Sequence, residues 1–140
     1  MSLRTAIVAT LLAAAPALAA ADTQRWTGEG FVVTATTAEQ PVAGAPLDVR
    51  LELTPSGGYK VNEEYPIAVE IVAPADVTAT KTKLGKADAS VRHERAAFQL
   101  RLTPKAAGAK VVALKLRFAL CTDTTCEPRK HAVDLKLDVK

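Results

Sequence analysis

The feature that most constrains this fold is a strict alternation of apolar and polar residues along several parts of the chain. Alternation with a period of two places one set of side chains against a core and the other set in water, as in a half-buried β-strand. The clearest runs cover residues 47–53, 67–71, 98–102, 112–120 and 133–139. After the N-terminal segment no run has the 3.6-residue period of a helix, so the chain is predicted to be all-β.

Turn-forming residues separate these runs. Proline and glycine break the chain at residues 41–46, 55–58, 74–76, 85–88 and 104–108. Residues 26–37 are predicted to add a first strand and residues 77–82 a short edge strand, while residues 20–25 read as a polar leader. About seven or eight strands at this spacing favour an immunoglobulin-like antiparallel β-sandwich, with a small barrel as the alternative.

The N-terminus has the features of a Sec-type signal peptide covering residues 1–19. Arg4 supplies a positive charge, residues 6–18 are apolar, and Ala17-Leu18-Ala19 is a small-x-small cleavage motif. Cleavage after Ala19 is expected, with the two following alanines as alternatives and an uncleaved anchor as the other interpretation. The mature domain is then residues 20–140, periplasmic or secreted, from a Gram-negative bacterium.

The charge pattern argues against several classes of function. The chain has a formal net charge of +3, and its lysines and arginines are scattered without a basic run. Nucleic-acid binding and binding to anionic membranes are therefore not predicted. No segment after the signal peptide is apolar for long enough to span a bilayer. No phosphate-binding loop, acidic metal loop or Ser/His/Asp set is evident, so no cofactor and no metal are predicted.

The two cysteines of the chain, Cys121 and Cys126, flank a four-residue loop between two of the alternating runs. A loop of this length commonly closes a β-hairpin. If the cysteines stand opposite each other, the same register pairs Leu114 with Val133, both of which are predicted to face inward. Both cysteines then fall on the solvent face, at a distance that suits a disulfide.

Three interpretations of this pair are open from the residues alone. A disulfide closing so short a loop stabilises the fold by only about 2 kcal/mol, which makes it a modest structural staple. An accessible disulfide at a hairpin tip also suits thiol–disulfide exchange. Zinc would need His93 and His131 as further ligands, and their spacing matches no familiar zinc site. There is no Cys-x-x-Cys motif of the thioredoxin type.

Three segments together resemble a known family. They are Gly-Tyr-Lys-Val-Asn at residues 58–62, Tyr-Pro-Ile at residues 65–67, and the cysteine hairpin that ends in Glu-Pro at residues 118–128. Over roughly residues 45–140 the chain resembles the N-terminal periplasmic domain of the disulfide-bond reductase DsbD, an immunoglobulin-like domain. The cysteine hairpin followed by proline is the most specific part of the resemblance.

The resemblance implies a function for the cysteine pair. Cys121 and Cys126 would exchange electrons with thioredoxin-like periplasmic proteins or a membrane reductase, as a thiol–disulfide oxidoreductase module without a cofactor. The chain lacks the membrane and thioredoxin-like domains of DsbD, so another polypeptide is expected to supply the electrons. The alternative is a non-catalytic exported binding or accessory domain with a structural disulfide.

The resemblance also implies neighbours for the cysteines. Tyr59, Lys60 and Asn62 match a family segment that lies beside the cysteine pair, where an ammonium would favour a thiolate. The family covers its disulfide with a cap loop that carries an aromatic residue. Residues 77–85 occupy the matching stretch here, and Leu84 stands in one of the aromatic positions.

Overall fold

A computed structural model describes residues 13–14 and 22–140 of the chain. The predicted signal peptide at residues 1–19 lies outside the described residues except for residues 13–14. Among residues 13–14 and 22–140, no helix combines the length and the apolar character needed to cross a bilayer. The described part contains one 3₁₀ turn (Lys86–Asp88) and these strands: β1 (Asp22–Gly28), β2 (Phe31–Thr37), β3 (Leu47–Pro55), β4 (Lys60–Val61), β5 (Ala68–Val72), β6 (Val77–Ala79), β7 (Lys83–Leu84), β8 (Ala89–Arg92), β9 (Arg95–Pro104), β10 (Gly108–Cys121) and β11 (Cys126–Val139).

The strands form two antiparallel sheets. The first sheet has the order β1-β2-β3-β9-β6, and β8 also pairs with β9. The second sheet has the order β11-β10-β5-β7, and β4 also pairs with β10. Side chains from both sheets meet in one core: Phe31 of the first sheet packs edge-on against Phe118 of the second, with ring centroids 5.0 Å apart. The prediction of an all-β antiparallel sandwich is confirmed.

The strand order also identifies the kind of sandwich. The path β2-β3-β9-β8 corresponds to strands A-B-E-D of an immunoglobulin domain, and β11-β10-β5-β7 corresponds to G-F-C-C′. Chain order runs through the same letters from A to G. The immunoglobulin-like prediction therefore holds at the level of topology, and the small-barrel alternative is wrong because the two sheets remain separate.

The core follows from the alternation in the sequence. Leu51 and Leu100 of the first sheet and Leu114 and Leu135 of the second are at most 1% exposed. Their sequence neighbours along the strands are mostly exposed. Each of these long strands thus buries one face and leaves the other largely in water, as period-two patterning requires.

The first strand begins earlier than predicted. Residues 22–25 of the predicted polar leader belong to β1, and the strand predicted at residues 26–37 is divided into β1 and β2, which pair through a turn at Glu29-Gly30. The side chain of Gln24 also links β1 to the second sheet. Its Nε2 donates to the carbonyl oxygen of Lys136 at 2.7 Å, and the Lys136 amide donates to its Oε1 at 2.9 Å. The polar strand thereby satisfies backbone groups at the outer edge of β11 in the other sheet.

Leu51→Ala is expected to lower the free energy of unfolding by about 2–5 kcal/mol, because it leaves a cavity at a fully buried site between the sheets. Urea denaturation followed by circular dichroism measures this. Val42→Ala is the matched control, since Val42 is 48% exposed and lies in a loop. A loss below about 0.5 kcal/mol for both variants would contradict the proposed core.

Candidate functional site

The longest hairpin of the described chain, β10–β11, positions the cysteine pair. Its register is continuous from Gly108 opposite Val139 to Cys121 opposite Cys126. The predicted register is confirmed, since Leu114 lies opposite Val133. Pro128 does not interrupt the ladder, because β11 is the edge strand of its sheet and a proline there needs no partner for a backbone N–H.

A disulfide joins Cys121 and Cys126 at the tip of this hairpin, as predicted, and the two Cα atoms lie 4.0 Å apart. The side chains of Leu120 and Phe118 face the core, so Cys121 stands on the outward face of the sheet. Cys126 is exposed and Cys121 is half-buried. Cys126 is therefore the more exposed residue of the pair.

The loop between the cysteines is held by Thr122. Its amide donates to the Thr125 carbonyl oxygen at 2.8 Å, which closes the turn. Its hydroxyl oxygen accepts the amides of Thr125 at 3.2 Å and Thr124 at 3.4 Å. The hairpin therefore has a hydrogen-bonded turn of its own in addition to the disulfide.

Lys60 lies directly across the sheet from Cys121, on the side opposite to Cys126. It belongs to β4, which pairs with the end of β10 in the register Cys121–Lys60 and Leu120–Val61. Residues directly opposite each other in antiparallel strands share a face and lie about 4.5–5.5 Å apart at Cα. The exposed Lys60 and the two cysteines thus form one row across three strands, on the solvent side of the sheet.

Hydrogen bonds from both sheets hold β4 in this place. The Val61 amide donates to the carbonyl oxygen of His93 at 2.8 Å, and Nδ1 of His93 lies 3.2 Å from the Val61 carbonyl oxygen. The Asn62 amide donates to the Ala119 carbonyl oxygen at 2.9 Å. The side-chain oxygen of Asn62 accepts the Glu64 amide at 2.9 Å, which makes Asn62 a turn residue beside the site.

Tyr59 closes the end of the sandwich below this row. Its ring lies on the backbone of Gly30, where an added Cβ would come within 2.4 Å of Cδ2 of the ring. Gly30 has a φ of +79°, so the turn and the close contact both require glycine. The Arg129 guanidinium lies over the Tyr59 ring, 5.6 Å from the ring centroid, and donates to the Glu29 carbonyl oxygen at 2.8 Å. Tyr59 therefore packs against both the Gly30 turn and Arg129 of the cysteine hairpin.

The structure does not bring Leu84 to the cysteines. Leu84 pairs with Val69, which pairs with Leu116, and its side chain is in the core with 5% exposure. Leu116 is five residues from Cys121 along β10, a distance of about 17 Å. The expected cap at residues 77–85 instead supplies β6 and β7, one to each sheet. The prediction that Leu84 covers the cysteines is therefore wrong. Pairing of β7 with β5, which the local sequence pattern does not reveal, places this leucine in the core.

His131 lies on the inward face of β11, opposite Leu116 as predicted, with its ring edge-on to Phe31 at 5.0 Å. Among the described residues, its Nε2 is the buried side-chain polar atom that has no hydrogen-bond partner. Burial lowers the pKa of His131 below its ordinary value of 6.5.

The zinc interpretation has no geometric support. Nδ1 of His93 is within hydrogen-bonding distance of the Val61 carbonyl oxygen, and the His131 ring points inward. Both sulfurs are bonded to each other in the disulfide. Within residues 13–14 and 22–140, no group of three or more His, Cys, Asp or Glu side chains is placed to hold a metal ion.

Comparisons with known proteins yield a structural neighbour but no family. No family model matches the chain, and no curated protein matches it. Among solved structures, the chain is similar to AggA, the major subunit of aggregative adherence fimbriae type I from Escherichia coli. The two share 14% sequence identity with a TM-score of 0.41, and the match covers 79% of this chain and 95% of that one.

The free energy of unfolding is expected to fall between pH 7.5 and pH 5. Because the folded-state pKa of His131 is lowered, the unfolded chain takes up its proton at a higher pH than the folded chain, and stability is lost as the pH falls below about 6.5. Urea denaturation across this range measures the effect. The carboxyls of Asp48, Asp76 and Asp88 have lowered pKa values and titrate below this window.

His131→Gln is the matched variant for this measurement, because it removes the titrating group and leaves His93 in place. Its stability should depend less on pH over the same range. An equal pH dependence in the variant and the parent protein would exclude His131 as the source.

Proposed function

We propose that this chain is an exported thiol–disulfide exchange domain that uses Cys121 and Cys126 with thioredoxin-like partners. The observation that carries the proposal is the position of the disulfide at an open hairpin tip, with Cys126 exposed and Lys60 directly opposite Cys121. Exchange requires in-line access of a foreign thiolate to one sulfur and a stabilised leaving thiolate at the other. The exposure of Cys126 supports the first requirement, and the position of Lys60 opposite Cys121 supports the second.

The exposure of the two cysteines suggests the order of events. A partner thiolate attacks the Cys126 sulfur, the bond between the two cysteines breaks, and Cys121 leaves as a thiolate beside Lys60. The second thiolate of the partner then attacks the mixed disulfide. The partner leaves as a disulfide, and the domain keeps both cysteines reduced, having gained two electrons. The reverse sequence passes those electrons to the disulfide of an acceptor.

Lys60 would act as a positioning and electrostatic residue in this scheme. A cation near a thiolate stabilises the charge and makes the thiol a better leaving group and nucleophile. Its backbone is fixed by β10 on one side, and the adjacent Val61 is bonded to His93 on the other. The backbone of Lys60 is therefore fixed opposite Cys121 rather than carried on a free loop.

The hairpin itself argues against a purely structural disulfide. The ladder between β10 and β11 is continuous, and Thr122 closes the turn with backbone and hydroxyl hydrogen bonds. A staple across this short loop adds only about 2 kcal/mol to a hairpin already specified by these contacts. The rival function is a non-catalytic exported binding or accessory domain with a structural disulfide. That function does not require Cys126 to be exposed, whereas exchange does.

Export to the periplasm is part of the same proposal. A disulfide fits an exported protein, since disulfides persist in oxidising compartments and are rare in the reducing cytosol. The proposed signal peptide at residues 1–19 would deliver the domain to such a compartment. The resemblance to the DsbD N-terminal domain implies thioredoxin-like periplasmic proteins or a membrane reductase as its partners.

The reduction potential of the Cys121–Cys126 pair separates exchange from a structural role. We expect a value above about −250 mV, because exchange-active disulfides are oxidising relative to structural ones, which lie below about −300 mV. Equilibration with glutathione or dithiothreitol buffers, followed by thiol alkylation and mass spectrometry, gives the value. A potential in the structural range would end the proposal.

Trapping tests the same proposal at the level of the partner. Cys121→Ala leaves the exposed Cys126 without its resolving thiol, so its mixed disulfides with thioredoxin-like proteins of a periplasmic extract should accumulate. Cys126→Ala should accumulate fewer, and the double variant, as the matched control, none. Equal capture by the single and double variants would show that the bands do not arise from exchange.

Lys60→Gln is expected to slow reduction of the disulfide by dithiothreitol about twofold across pH 6–9, because it removes a solvent-screened cation near the leaving thiolate. Stopped-flow measurement gives the rate constant at each pH. Lys60→Arg should retain the parent rate constant. Lys86→Gln, an exposed lysine outside the site, is the control for net charge. An unchanged rate constant in Lys60→Gln would remove Lys60 from the mechanism.

A further inference from the structure

The outward face of the second sheet gathers cations that lie far apart in the sequence. Two rows of side chains cross the sheet next to the cysteine hairpin. The first row contains Lys130, Arg117 and Ala68 on neighbouring strands. The second row contains, in the same direction, Ala132, Lys115, Glu70 and Lys83. We call the surface formed by these two rows the cationic trough.

The charges of the cationic trough are unbalanced. Its four exposed cations face a single carboxylate, which gives a net formal charge of +3, equal to that of the whole chain. In the part of the chain that the structure describes, none of the four takes part in an ion pair within 4.0 Å, whereas Arg101, Lys110 and Arg129 each do. Like charges held close together without partners attract an anionic ligand.

The trough is concave and has an apolar floor. A depression of about 530 Å³ lies over these rows, and small alanine side chains at positions 68 and 132 leave its base open. An extended polypeptide fits a groove with an apolar floor and charged walls better than it fits a flat charged surface. The trough therefore combines room for a chain segment with charge complementary to acidic side chains.

We propose that the cationic trough docks an acidic, extended segment of the redox partner, adjacent to the partner's reactive cysteine. The proposal rests on the proposed function, and it adds the chemistry by which a partner is recognised. The first row lies four residues from the disulfide along both β10 and β11, which corresponds to about 14 Å. The second row lies two residues farther.

The spacing fixes where the acidic residues of the partner should be. An extended segment advances about 3.3–3.6 Å per residue. A partner cysteine at the Cys126 sulfur would therefore place the residues four and six positions from it over the two rows of cations. In the row between the disulfide and the cations, Pro128 is exposed and has a short side chain, whereas its partner Ala119 is buried. The open path from Cys126 to the cations therefore runs along β11.

Fluorescence anisotropy of labelled synthetic peptides tests the docking without any redox step. The probe has serine in place of the reactive cysteine and glutamates at the fourth and sixth positions after it. We expect this peptide to bind the oxidised full-length domain at least tenfold more tightly than the same peptide with lysines there, with affinity falling as salt rises. A peptide with both glutamates next to the serine should bind less well.

Charge removal in the trough should abolish this preference. Lys115→Gln, Arg117→Gln and Lys130→Gln together are expected to weaken binding of the acidic peptide about tenfold, since exposed ion pairs contribute modestly one by one and add up as a group. The matched control removes two lysines and one arginine elsewhere on the surface, as Lys86→Gln, Lys105→Gln and Arg25→Gln. The control variant should bind the peptide like the parent protein.

Several outcomes would overturn the docking proposal. Two of them concern the peptides and variants: equal affinity for acidic and basic peptides, and an equal loss of affinity in the trough and control variants. The other two point to a different ligand: competition by inorganic phosphate at constant ionic strength, and trough-dependent binding to phosphatidylglycerol vesicles in place of the peptide. The rate of reduction by uncharged dithiothreitol reports the proposed function separately. If the disulfide is active but the domain does not prefer the acidic peptide, the exchange proposal is retained and only the docking proposal is rejected.

Discussion

The register between β10 and β11 is the constraint on which the rest of the site depends. Successive side chains of a strand point to opposite faces, so one pairing decides the side of the sheet on which every residue of the hairpin lies. The register that puts Leu114 beside Val133 in the core also puts Cys121 beside Cys126 outside it. A slip by one residue would bury the cysteines and expose the apolar stripe. Hydrophobic burial along the whole hairpin thus fixes the position of the disulfide.

The same sheet gives the disulfide its surroundings on three sides. On one side β4 brings Lys60 next to Cys121, and the hairpin tip at His93 of the opposite sheet holds β4 by bonding Val61. Beneath it, Tyr59 and Arg129 close the end of the sandwich over Gly30. Beyond it, along the strands, lies the cationic trough. The two sheets therefore present a disulfide at a hairpin tip, with Lys60 on the neighbouring strand and the cationic trough farther along the strands.

The predicted neighbours of the cysteines differ in their outcome for physical reasons. Lys60 falls in the row of the disulfide because β4 pairs with the end of β10 in the register Cys121–Lys60. Leu84 falls in the core because an apolar side chain on a strand that pairs with β5 gains more by facing inward than by covering a distant sulfur. The polar residues 22–25 lie in a strand because they pair with β2, and Gln24 also satisfies edge backbone groups of β11. The polarity of this segment did not indicate that β11 would be its partner.

The alternating pattern by itself determined the all-β class, the faces of the long strands, the hairpin register and hence the cysteine pairing, because each follows from a period of two and a short loop. The tertiary structure alone decided which strands are neighbours. It assembled Lys83, Lys115, Arg117 and Lys130 into one surface although no basic run exists in the sequence. Pairing between strands distant in the chain is selected by the packing of the whole core, and a local pattern contains no information on that choice.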